Sequence, residues 1–137
     1  MKLSTDVQKL LIRSAESVHK KAYAPYSGFK VGAAVLTESD AVYTGCNVEN
    51  GSYGLSVCAE RNAIAAAIAD GHRQIRAVAI YTPTNDATVP CGACRQVLSE
   101  FNPDMNLLLV NKNLQVKHMH LTDLMPKPFE FKGKQHE

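Results

Sequence analysis

Val7, Leu10, Leu11, Ala15 and Val18 recur at helical spacing, which predicts a first helix over residues 5–22 with one apolar face. Thr5 and Gln8 stand three apart at its start, the spacing of a capping box. Pro25, Ser27 and Gly28 then give turn chemistry over residues 23–28. Two strand-like runs, 29–37 and 41–48, are joined by Glu38-Ser39-Asp40, a connection short enough to predict an antiparallel hairpin. Gly51, Ser52 and Gly54 make residues 49–57 a loop. An alanine-rich run from Cys58 to a stop at Gly71 predicts the second helix. Residues 75–81 form a continuous apolar strand of the buried type, and residues 82–89 a polar loop. Pro90 precedes a third helix from Cys91 to about Phe101, closed by Asn102-Pro103. Strands at 105–110 and 116–120 turn at Asn111-Lys112-Asn113, and Thr122-Asp123 is placed to cap a last short helix. Helices interleaved with strands in this order predict an α/β fold: a three-layer α/β/α sandwich around a five-stranded mixed sheet.

With 137 residues, 45% hydrophobic and 20% charged, the chain is expected to be one domain over 1–137 with a packed core. Its net charge of +2 is scattered, which argues against nucleic acid or an anionic membrane as partner. The mildly basic tail from Lys127 to Lys134 also carries Glu130 and is taken as a solvated terminus. No run approaches the roughly 18 apolar residues of a spanning helix. The polar start, Met1-Lys2-Leu3-Ser4-Thr5-Asp6, is unlike an export signal, so a cytoplasmic location with reduced thiols is expected. Four cysteines in that setting point to metal before disulfides.

Cys91-Gly92-Ala93-Cys94 places two sulfurs on one face of a first helical turn, where a single zinc ion can take both. The helix N-terminus favours the thiolates that metal binding requires. Alone, the pair also fits a redox motif or half of a structural site. Cys58 sits at another loop-to-helix junction, and as third ligand it would leave one tetrahedral position for water, the mark of a catalytic zinc. Glu60 follows two residues later, within reach of that water; by itself it could equally be a carboxylate favouring the helix dipole. The order Cys-x-Glu followed by Pro-Cys-x-x-Cys is the signature of zinc deaminases. Cys46 is the candidate for a fourth thiolate, which would close the site. His19, His72, His118, His120 and His136 are dispersed; His118 and His120 could share a strand face and are taken as surface positions.

Beyond the zinc segments, the chain carries Ala22-Tyr23-Ala24-Pro25-Tyr26-Ser27, Phe29-Lys30-Val31-Gly32-Ala33-Ala34 and Gly45-Cys46-Asn47-Val48-Glu49-Asn50. Over nearly its whole length it resembles the short, homotetrameric cytidine deaminases. That resemblance implies the same sandwich fold, one Zn²⁺ per chain on Cys58, Cys91 and Cys94, and hydrolysis of cytidine and 2′-deoxycytidine to uridine and 2′-deoxyuridine with release of ammonia. Glu60 would be the catalytic acid and base. Asn47 and Glu49 align with a ribose-binding pair, Phe29 with an aromatic against the pyrimidine, and Ala59 with a backbone N–H offered to the base carbonyl. Tyr53 aligns with a residue near the nucleoside that a neighbouring subunit can supply, and Phe129 with a C-terminal aromatic closing the pocket. Three thiolates on Zn²⁺ carry excess negative charge, which works against forming the nucleophile. Arg61 matches the residue that offsets this charge, and Arg95 is a candidate helper.

Four rivals remain. Blasticidin-type and polynucleotide deaminases share the zinc signature, although the second class needs a basic, aromatic-lined channel. A non-enzymatic zinc-stabilised binding module would use Cys46 as fourth ligand. A redox protein would use Cys91 and Cys94 alone.

Overall fold

The computed structural model describes residues 3–133; Met1, Lys2, Lys134 and His136, which entered the readings above, lie outside them. The first helix, α1, spans Thr5–His19 and is capped by Ser4, whose hydroxyl accepts from the Val7 amide at 3.2 Å. The cap is therefore one residue earlier than expected, and Thr5 and Gln8 do not form the box. Thr5 is already helical, whereas a cap needs the extended backbone that Ser4 has (ψ 156°). Gln8 instead donates to the Leu3 carbonyl at 3.0 Å. The helix stops short of Ala22 because Tyr23 is drawn to the far side of the hairpin: its amide donates to Asn47 O and its carbonyl accepts from Glu49 N.

The hairpin strands are β1, Gly32–Thr37, and β2, Val42–Cys46. β1 starts three residues later than the apolar run suggested. The Val31 amide is taken by the Asn47 side chain at 2.8 Å, so no strand partner receives it. A short 3₁₀ turn, Tyr53–Leu55, lies in the following loop. Then come α2 (Ala59–Ala69), β3 (Ile75–Tyr81), α3 (Gly92–Phe101), β4 (Asn106–Val110), β5 (Val116–His120) and α4 (Leu121–Leu124). At α4 the Asp123 carboxylate accepts from the His120 amide at 2.9 Å, while Thr122 donates to Asp104 rather than capping.

The five strands form one sheet in the order β2-β1-β3-β4-β5, with β3 and β4 parallel and every other pair antiparallel. Alternate residues divide the core. Ala34, Leu36, Ala77, Ala79, Leu108 and Val110 pack with Leu11 and Ala15 of α1. Ala33, Val35, Val78, Ile80, Leu107 and Leu109 pack with Ala63, Ala67 and Leu98 of α2 and α3 on the opposite face. The sandwich has its three layers. No described helix is long and apolar enough to cross a membrane.

Two features of this packing position the site. Gly32 pairs with both Cys46 and Tyr81, so Val31, Asn47 and Thr82 emerge side by side at one edge of the sheet. α2 runs back along the sheet into β3 and α3 leaves from the end of β3, so both helix N-termini reach that same edge. The second feature is Gly45: a Cβ there would lie 2.3 Å from Ala63 N and 2.6 Å from Ala59 O, so only glycine lets α2 lie against β2.

Candidate active site

Cys58 is the N-cap of α2 and Cys91 the N-cap of α3, with Cys94 one turn further on and buried. The three Sγ atoms lie within 4.8 Å of one another. The Cys94 amide donates to Cys91 Sγ at 3.4 Å. Contact with the Cys94 thiol, with help from Arg61, lowers the Cys58 pKa, while the same contact and burial raise that of Cys94. Arg61 approaches Cys58 Sγ at 4.0 Å, donates to Ser56 O at 3.3 Å, and keeps a buried Nε without a partner. Glu60, only 5% exposed, is on the same first turn. Burial pushes its pKa up, its own helical amide pulls against this, and the charge on Cys58 pushes it further up. A carboxylic acid raised in this way holds a proton more readily than an exposed one, as a group that takes and returns a proton must.

These groups open into a cavity of about 300 Å³ whose walls include Ser27, Phe29, Asn47, Glu49, Ala59, Glu60, Thr82 and Cys91. A larger cavity of about 690 Å³, beside β4 and β5, contains none of them and is not the site. At the far wall, Asn47 donates to Phe29 O and accepts from Val31 N, both at 2.8 Å. Glu49 accepts from the amides of Tyr26 and Ser27 at 3.0 and 3.1 Å and from the Ser27 hydroxyl. The Ser27 hydroxyl holds the Glu49 carboxyl below its usual range against the opposing effect of burial, with smaller help from these amides. Ala59 is the first residue of α2, where the amide has no intrahelical acceptor.

The family model for the cytidine and deoxycytidylate deaminase zinc-binding region matches residues 5–109. The chain belongs to this family. A cytidine deaminase of Sporosarcina psychrophila is 42% identical over 125 residues, covering 90% of this chain and 91% of that protein. One from Halalkalibacterium halodurans is 41% identical, covering 89% and 93%. The crystal structure of cytidine deaminase from Burkholderia pseudomallei superposes with a TM-score of 0.86 at 44% identity, covering 93% of this chain and all (100%) of that one.

The donor set suits the family's zinc. Tetrahedral Zn–S bonds of about 2.3 Å need sulfurs about 3.8 Å apart, which the cluster's spacing admits. Among the described residues this is the one group of three ligating side chains that converge, so the chain is placed to hold one zinc ion. Cys46 is not part of the cluster, which removes the closed four-thiolate arrangement.

Other expected residues lie elsewhere. Arg95 donates to Pro90 O at 2.8 Å and Leu124 O at 3.3 Å, tying the loop before Cys91 to α4; its observed bonds go to carbonyls, not to sulfur. Tyr53 is 75% exposed and meets Tyr26 edge-on at 5.8 Å, outside the cavity wall. Phe129 is also exposed, its backbone pinned by Gln96. His118 and His120 are at the surface, as expected. Ser27 and Thr82 line the cavity without having been singled out. The signal for Thr82 was its place just beyond the carboxyl end of β3, where open α/β sheets bind ligands.

Proposed function

We propose that this chain, as one domain, hydrolyses cytidine and 2′-deoxycytidine to the uridine forms and ammonia, in the cytoplasm and in the service of pyrimidine salvage. What carries this reading is the convergence of Cys58, Cys91 and Cys94 beside a buried Glu60 that faces the same cavity as Asn47 and Glu49. Zinc, held by the sulfurs of Cys58, Cys91 and Cys94, would supply the Lewis acidity that makes water a nucleophile near neutral pH. Glu60 takes the proton of that water and passes it to the ring nitrogen N3, which makes C4 electrophilic. The water oxygen adds at C4. Glu60 then carries the remaining proton to the amino group, which leaves as ammonia. Phe29 packs on the pyrimidine, the Ala59 amide holds the base carbonyl, and Asn47 and Glu49 bind the sugar. Arg61 offsets the charge of the thiolates, and Arg95 supports it indirectly by fixing the loop that carries Cys91.

The cavity wall carries the carboxylates of Glu49 and Glu60 and no basic side chain, which favours a neutral nucleoside over a nucleotide. A polynucleotide is disfavoured on the same ground. Tyr23, Tyr26, Tyr53 and Leu55 are exposed, and Tyr26, which meets Tyr53, adjoins the cavity residue Ser27; this supports a homotetramer in which a neighbour's Tyr53 reaches the nucleoside. Light scattering should then give four times the 15.0 kDa chain mass, and a monomer would overturn the assembly.

Ultraviolet monitoring of cytidine tests the activity. Turnover should disappear with a zinc chelator and return with zinc. Undiminished turnover in the chelated, metal-free protein would sink the reading.

A further inference from the structure

Ser27 joins two parts of the cavity wall through a single hydroxyl. Its proton goes to Glu49 Oε2, and its oxygen accepts from the Phe29 amide at 3.0 Å. Between them Gly28 turns the chain at φ +70°, a conformation natural to glycine, with nothing within 4 Å of where a Cβ would be. The amides of Tyr26 and Ser27 both fall on Glu49 Oε1, so that oxygen has its two donors. Oε2 has one donor, the Ser27 hydroxyl, and retains one acceptor position. Phe29 O in turn accepts from Asn47. The hydroxyl therefore stands at the junction of a relay running Glu49, Ser27, Phe29, Asn47.

We propose that Ser27 is a positioning residue for sugar recognition: it locks the plane of the Glu49 carboxylate so that the remaining acceptor of Oε2 meets a nucleoside hydroxyl. The inference rests on the sugar-binding role assigned above to Asn47 and Glu49. Without the hydroxyl, Glu49 stays tethered at Oε1 by two amides while Oε2 is free to swing. The loss falls on the substrate's hydroxyl contact and not on the chemistry at C4.

The test compares the KM and kcat of Ser27→Ala for cytidine, 2′-deoxycytidine and 2′,3′-dideoxycytidine, using the zinc-loaded protein. Expected is a KM increase of about ten-fold for the ribosides that keep a hydroxyl toward Glu49, kcat within about two-fold, and no change for the dideoxynucleoside. Ser27→Thr, which keeps an Oγ, should restore the cytidine KM to within about three-fold. In a Glu49→Gln background, adding Ser27→Ala should cost little more. An equal loss on all three nucleosides, or no rescue by threonine, would make Ser27 merely structural and overturn the proposal. Wild-type protein that treats dideoxycytidine and cytidine alike would instead overturn the sugar role of Glu49 itself. The two failures are separable.

Discussion

The two ends of the cavity are built on opposite physical terms. At the sulfur end, polar groups are held where burial works against them: Glu60 is buried with its pKa raised, and Arg61 keeps an unpartnered Nε. At the sugar end, Asn47 and Glu49 are satisfied by backbone amides and carbonyls of residues 26–31 before any ligand arrives. One end stores reactivity at a cost in stability. The other uses its binding residues to hold the fold.

Glu60→Gln should therefore sharpen the contrast most. Turnover should fall by about 10²–10⁴-fold, as expected for loss of a positioned acid and base. Zinc content should stay at one per chain, and the melting temperature should hold or rise because a buried charge is removed. A variant with more than a tenth of wild-type activity would remove Glu60 from the mechanism.

Asn47→Ala should behave in the reverse sense. It leaves the Val31 amide and the Phe29 carbonyl without their side-chain partner, a loss of about 1–3 kcal/mol measurable by urea unfolding. Its kinetic defect should fall mainly on KM. Unchanged stability would break the comparison, since the sugar end would then be as independent of the fold as the sulfur end.

The smallest effect concerns acid. The folded pKa of Glu49 lies below its ordinary 4.5, so the stabilisation it contributes is complete above pH 4.5 and fades as pH falls through the lowered value. Ser27→Ala removes the largest cause of that lowering. Melting curves between pH 6 and 3 should show a shallower acid decline for the variant, on the order of a degree because the group is exposed. A steeper decline would reverse the assigned sign.

The sulfur end was legible in the sequence because its residues are local: Cys58 and Glu60 lie on one turn and Cys91 and Cys94 on another, and helix geometry fixes their spacing. The sheet was legible for a similar reason, since the apolar runs of β1, β3 and β4 are properties of single segments. The sugar end was less so. β1 begins at Gly32 because a distant asparagine takes the Val31 amide, and no local pattern announces that bond. Arg95 carries the same side chain as Arg61 on an equivalent turn, yet its donors go to Pro90 and Leu124, which only the folded loop brings near. Ser27 escaped notice because its partners lie at Phe29 and at Glu49, one local and one across the hairpin.

The bare backbone at Gly45 has a mechanical meaning. With Ala63 N 2.3 Å and Ala59 O 2.6 Å from where a methyl would stand, the ridge of α2 rests on β2 with no spacer, as a machined part rests on its seat. The height of Cys58, Ala59 and Glu60 above the sheet is thus a fixed dimension and not an average over loose packing. A shim one carbon thick would lift that row away from the sulfurs of α3, and the gap would open where the tolerance is smallest.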